Sequence, residues 1–403
     1  MAEKSKKHAW QFRARFRRNA FGWQSQPAMK RVKEAVAEIK KVAKTDPLLA
    51  AEGAVLFIER VAPALERVDG SSGAMGSTVN GALATLSDII AAAPADDKTR
   101  DQWLERLWEA YQEDEMPWVE SLADHWGAMC ANQKLAAEWA DRLMPLVKLV
   151  WGPEKGAYFK GTSCCLNALL AAERYEELME LLEICPYKMW HYRQYGVKAL
   201  AALGRKAEAL RYAEASRDGY SPVLVDRACE ELLLSSGLVE EAYQRYGLEA
   251  NRAGTYLAWF RAVAKKYPHR SPEQILADLV EANPGDEGKW FAAAKDAKLF
   301  DQAIALAQSA PCAPQTLTRA ARDFAEKRPD FALEAGLAAL TWLAAGYGYE
   351  VTGEDVSLAY SYTMEAAGKA GRVQEVEERI RAILAREARG GLVQRFLGHK
   401  FPS

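Results

Sequence analysis

The sequence predicts an all-α protein made of short helix pairs stacked one after another, and three observations predict it. Nearly every segment of the 403 residues repeats its apolar positions at the helical period. Strand-like alternation of β-branched residues bounded by turn dipeptides is almost absent. Five stretches also share one pattern at compatible spacings, the mark of a repeat architecture.

Taken in order, Met29, Val32, Val36, Ile39 and Ala43 form the apolar stripe of a first amphipathic helix, with Lys and Arg opposite. Asp46-Pro47 opens a second helix, because Asp caps free N–H groups and Pro fits the first turn. That helix is expected to bend or end near Pro63. The run Asp69 to Gly73 reads as a turn, and TVNGALATLSDIIAAA as the next helix. Asp96 or Asp97 precedes DQWLERLWEAY, Pro117 opens WVESLADHWGAMC, and KLAAEWADRLMPLVKLVW follows.

The five related stretches are AAERYEELMELL, ALGRKAEALRYA, SSGLVEEAYQRY, DAKLFDQAIALA and KAGRVQEVEERI. The residue after each turn is Tyr175, Lys206, Val239, Phe300 or Val373, at steps of 31, 33, 61 and 73. HRSPEQILADLV near Ser271 and KRPDFALEAGLAAL near Phe331 fill the two long steps. One helix pair cannot bury its own apolar stripe, whereas a row of pairs forms a continuous core. Gly204, Gly237 and Gly371 stand at the turns, where a left-handed backbone suits Gly. Small Ala209, Ala242 and Ala303 allow close approach early in the second helix.

These units resemble tetratricopeptide repeats over residues 155–388. With Gly204 as the turn, Val197, Leu200 and Ala209 occupy the positions that family fills with small, large and Ala residues. With Gly237 as the turn, Glu230, Leu233 and Ala242 fall there, and Glu230 departs from the pattern. Residues 28–152 look more like irregular HEAT-type helical pairs. The whole chain is similar to a family of bacterial helical proteins sharing a HAWQFR-type N-terminus, a resemblance that carries no activity with it.

The fold these resemblances imply is a right-handed α-solenoid of antiparallel helix pairs, HEAT-like first and tetratricopeptide-like after. The organisation expected is a basic aromatic arm at 1–27, the HEAT-like region at 28–152, repeats at 153–388 and a tail at 389–403. In tetratricopeptide arrays, three positions of each first helix face a concave groove. Here they are Lys160, Ser163 and Asn167, then His191, Gln194 and Lys198, then Leu224, Arg227 and Glu231. Such a groove suits an acidic peptide tail or another carboxylate ligand through charge-assisted hydrogen bonds.

Charge is divided unevenly. Residues 1–44 hold thirteen Lys or Arg against three Glu, a balance of +10, while the other 359 residues carry −12. Within that segment HAWQFRARFRRNAFGW alternates cations with Trp10, Phe12, Phe16, Phe21 and Trp23. Three readings stand open. The arm docks on the acidic body by its rings; Lys6, Lys7, Arg13, Arg15, Arg17 and Arg18 hold phosphates of a nucleic acid; or the arm meets an anionic membrane surface.

Reactive constellations are sparse. The phosphate-loop, H-E-x-x-H, C-x-x-C and G-x-S-x-G patterns are all absent. Cys185 and His191 would supply only two ligands, short of a zinc site. The aromatic run Tyr187 to Tyr195 reads first as packing between repeats. The six cysteines are scattered, as in a chain from a reducing compartment, and no apolar run is long enough to span a bilayer. With no signal-peptide pattern at the N-terminus, a cytoplasmic location is expected. The function expected is a non-catalytic scaffold binding a protein or peptide partner, without cofactor or metal. The alternative is nucleic-acid binding through the arm.

Overall fold

A computed structural model describes residues 8–152, 158–217, 221–388 and 390–401 of the chain. Every regular element among the described residues is helical. They form two compact units, Met1–Ser236 and Gly237–Ser403.

The first unit runs α1 (Gln11–Arg15), α2 (Ser25–Ala43), α3 (Pro47–Leu65), α4 (Ala74–Ala92), α5 (Asp97–Glu113) and α6 (Trp126–Cys130). It continues through α7 (Gln133–Val150), α8 (Thr162–Ala171), α9 (Tyr175–Glu183), α10 (Trp190–Ala202), α11 (Lys206–Ala215) and α12 (Pro222–Leu234). The start signals work as their chemistry requires. Asp46 accepts from Leu49 N at 3.0 Å, Asp96 from Thr99 N at 2.7 Å and Asn132 from Leu135 N at 2.9 Å. The segment after Pro117 differs from the single helix expected, because Glu120–His125 is a 3-10 turn leading into α6.

The N-terminal stretch is docked. Trp10, Phe12, Phe16 and Phe21 are buried, and the Phe16 ring lies 5.5 Å from Phe12, 4.8 Å from Phe21 and 5.2 Å from Phe57 of α3. Trp10 fills the gap left by Gly53, where an added Cβ would collide with its indole. The backbone is held as well. Asn19 N donates to Pro63 O at 2.9 Å and Phe21 N to Ala64 O at 3.4 Å, so the arm caps the last turn of α3. α3 ends at Leu65, two residues past Pro63, in keeping with the end expected near that proline. The arm supplies donors to the carbonyls of Pro63 and Ala64 in this last turn.

Two arginines tie α5 to its neighbours. Arg100 is buried and donates to three carbonyls, Ile90 O at 2.8 Å, Ala93 O at 2.5 Å and Met129 O at 3.0 Å, closing the ends of α4 and α6. Arg106 forks onto Glu59 at 2.7 and 2.8 Å and reaches Glu52 at 2.6 Å, which joins α5 to α3.

The second unit runs α13 (Val239–Ala242), a π turn at Tyr243–Gly247, α14 (Leu248–Ala250), α15 (Tyr256–Lys266) and α16 (Pro272–Glu281). After these come α17 (Phe291–Asp296), α18 (Phe300–Ser309), α19 (Pro314–Phe324), α20 (Pro329–Ala344), α21 (Gly353–Ala370), α22 (Val373–Arg386) and α23 (Leu392–Leu397). Gly336 lets α20 and α21 touch, since a Cβ there would collide with Thr363 Oγ1. Glu334 of α20 receives both Arg379 nitrogens of α22 at 2.5 and 2.7 Å.

The five related stretches share one backbone turn. Tyr175, Lys206, Val239, Phe300 and Val373 each begin a helix. Two residues before them stand Glu173, Gly204, Gly237, Lys298 and Gly371, all left-handed with φ from 58° to 76°. The next N–H, of Arg174, Arg205, Leu299 and Arg372, reaches back five residues to a helix carbonyl at 2.9–3.0 Å. That is the six-to-one bond of a Schellman close. Ala209, Ala242 and Ala303 are fully buried behind it.

Candidate functional site

In the first unit, α10 and α12 border an open groove of ≈ 710 Å³. His191, Gln194 and Lys198 recur at three- and four-residue steps on one face of α10, as Leu224, Arg227 and Glu231 do on α12. Val197, Ala201, Ala228 and Leu232 contribute its apolar surface, and Asp124, Trp190, Ser221 and Ser235 complete the lining. Leu224 is 47% exposed, an aliphatic side chain left in water beside Arg227.

The position of α10 is fixed from behind. Gly196 lets α9 and α11 press close, since an added Cβ would lie 3.0 Å from Leu182 and 2.8 Å from Tyr212. Arg193 donates to Tyr212 Oη at 2.5 Å and stacks over that ring at 5.0 Å. Tyr195 is fully buried and donates to Asp124 Oδ1 at 2.8 Å, and burial pushes its phenol well above the ordinary range. With Trp190 and Tyr192 also buried, the aromatic run from Tyr187 serves packing. The Lys198 ammonium stands 5.4 Å from the Tyr195 ring on the exposed edge of the helix.

Five expected groove residues, His191, Gln194, Lys198, Arg227 and Glu231, thus border one cavity, as does Leu224. Lys160, Ser163 and Asn167 do not border it. Lys160 donates to Asp114 O at 2.5 Å and sits 5.0 Å over Tyr111. Asn167 accepts from Gly127 N at 2.7 Å and donates to Asp124 O at 2.8 Å. Ser163 shares a 2.8 Å hydrogen bond with His191 Nε2. A Ser–His pair can serve nucleophilic catalysis when the hydroxyl is accessible. Ser163 is only 4% exposed, so the bond orients His191 and does not offer a nucleophile to the groove.

Asp124 was not singled out from the sequence. Its link to Tyr195 spans 71 residues, and no local periodicity announces it. Trp190, Ser221 and Ser235 were likewise not singled out for the groove. The cysteines are all buried and free, and burial pushes Cys130, Cys165 and Cys312 up to about 12, which removes the thiolate at neutral pH. Cys185 donates to Tyr187 O at 3.1 Å instead of meeting His191. Among the described residues no group of three or more His, Cys, Asp or Glu could hold a metal ion, and no helix is long and apolar enough to cross a membrane.

Of the cations placed on the arm, Arg15 pairs with Glu34 at 3.2 Å and Arg18 with Glu66 at 2.8 Å. Arg13 and Arg17 are exposed, and Lys6 and Lys7 lie outside the described residues. Trp23 is 71% exposed while its carbonyl accepts from Asp69 N at 2.9 Å. No protein-family model matches the chain, and no curated protein matches it either.

Proposed function

We propose that the protein is a non-catalytic interaction scaffold and that the groove between α10 and α12 holds a segment of a protein partner. One observation carries this reading. Two successive first helices of the recurring hairpin turn the same three positions toward a single open cavity, and those positions combine Lys198 and Arg227 with the exposed Leu224. An acidic peptide with an apolar residue answers that chemistry, its carboxylates meeting the two cations and its side chain covering Leu224. The hairpins within each unit are read as tetratricopeptide-like, with the right-handed stacking that resemblance implies. Their shared left-handed turn and buried Ala positions support it. Six free thiols fit a reducing compartment, in keeping with a cytoplasmic location.

The test is affinity capture from nuclease-treated extract on the full chain and on a Lys198→Glu, Arg227→Glu variant whose circular dichroism and melting match the parent. The expected result is a defined partner set depleted about tenfold by the charge reversal, equivalent to the roughly 1.4 kcal/mol of a charge-assisted contact. The same partner should cross-link to a photoreactive residue at position 224. Capture that is unchanged by the reversal removes the groove assignment.

A further inference from the structure

The cations of the N-terminal segment divide into two groups once its acids are placed. Glu38 accepts the backbone N–H of Gln11 at 2.8 Å and of Phe12 at 3.3 Å. Glu34 pairs with Arg15 at 3.2 Å and reaches Lys30 at 4.0 Å. Both described carboxylates of the segment are therefore engaged with α1 and the start of α2. Lys33, Lys40, Lys41 and Lys44 are exposed, and among the described residues none of them is paired with a carboxylate. At about 100° per residue, these four fall within a sector of roughly 100° on α2 and its C-cap. A row of like charges whose neighbouring acids, Glu34 and Glu38, are engaged with α1 and Lys30 is a positive surface, not a self-neutralised helix face.

The row borders a concavity. Lys33 and Lys40, about 10.5 Å apart along the helix axis, stand on one wall of an open groove of ≈ 510 Å³ between α2 and α4. Val32, Val36 and Ala82 give it an apolar floor, and the far wall is made by Ser77, Thr78 and Gly81. That wall is uncharged, since α4 carries no acid or base before Asp88. It is also low, since a Cβ built on Gly81 meets nothing within 4 Å. The groove therefore offers cations along one edge, a neutral edge opposite, and apolar surface between them.

We propose that this groove and the lysine row beside it bind the phosphodiester backbone of a single-stranded nucleic acid. Phosphates lie along Lys33, Lys40, Lys41 and Lys44, and sugar or base edges lie on the apolar floor between α2 and α4. A membrane surface fits less well. Interfacial binding needs large apolar side chains projecting between the charges, and the exposed apolar residue among these lysines is Ala37. A duplex is too wide to enter a gap between two neighbouring helices. The inference is independent of the peptide groove, which lies on other helices. It also differs from a role for the arm, whose Arg15 and Arg18 are paired within the unit.

The test uses the full chain and fluorescence anisotropy with labelled oligothymidylate and oligouridylate, a duplex of equal length, polyglutamate, and phosphatidylserine vesicles. Four phosphate contacts predict a slope of about −3 for log affinity against log salt on a single strand. Changing the four lysines to Gln should weaken binding at least about tenfold, and changing them to Arg should retain it. The Arg variant keeps the experiment decisive if the Gln variant melts early. Absence of strand binding at low salt overturns the proposal, as does affinity unchanged by the Gln substitutions. So does tighter binding to the duplex, to polyglutamate or to vesicles than to the strand.

Discussion

The arm before α2 and the groove face of α10 are written in the same alphabet, cations interleaved with rings, yet the structure uses them in opposite ways. In the arm the rings of Trp10, Phe12, Phe16 and Phe21 enter the core around Phe57, while Arg15 and Arg18 are matched by Glu34 and Glu66. In α10 the rings of Trp190, Tyr192 and Tyr195 are buried as well, but Lys198 is left on an open wall. The rings of these two runs thus pack, Trp23 excepted, and by themselves they do not mark a binding surface. What distinguishes the two regions is where the neighbouring elements place their carboxylates. The lysine row of α2 follows the same rule, because its local acids are drawn off by α1.

If the arm is core and the groove is surface, substitutions in the two should differ in kind. The largest effect is expected from Phe16→Ala, which empties a site packed by Phe12, Phe21 and Phe57. Denaturant unfolding of the full chain should show a loss of about 3–5 kcal/mol. Gly53→Ala should cost less, about 1–3 kcal/mol, since a single methyl displaces the Trp10 indole without removing it. The Trp10 fluorescence should shift with it. Lys198→Glu should change stability by no more than about 0.5 kcal/mol, because the side chain is exposed and its ammonium stands 5.4 Å from the centre of the Tyr195 ring. A large destabilisation by Lys198→Glu, or a negligible one by Phe16→Ala, would erase the distinction between the regions.

The helices were legible because their buried stripes keep the helical period, as Met29, Val32 and Ile39 do in α2. The hairpin turns were legible at Gly204, Gly237 and Gly371 for a conformational reason. At Glu173 and Lys298 only the alignment to the other units located them, since neither residue type signals a left-handed backbone. The end of α3 near Pro63 was legible from the proline, whereas the donors that cap it, from residues 19 and 21, could not be read. Half of the groove was legible for the same reason as the helices. His191, Gln194 and Lys198 hold one face of a helix whose other faces are buried. The positions on α8 behave differently, because Thr162 to Leu169 are buried all round. Asn167 bonds to the carbonyl of Asp124 and the amide of Gly127, in a 3-10 segment and short helix that leave no periodic trace in the sequence.

The capping of α3 by the arm bears on how the chain can be dissected. A version shortened to begin at Pro27 would lack the plug that covers Phe57 and the donors that satisfy Pro63 O and Ala64 O. It would measure the loss of a keystone, and any binding lost with it would say nothing about which cations touch a ligand. Point changes on the outer edge of α2 or on the wall of α10 leave that keystone seated, and they are the cuts that report on recognition.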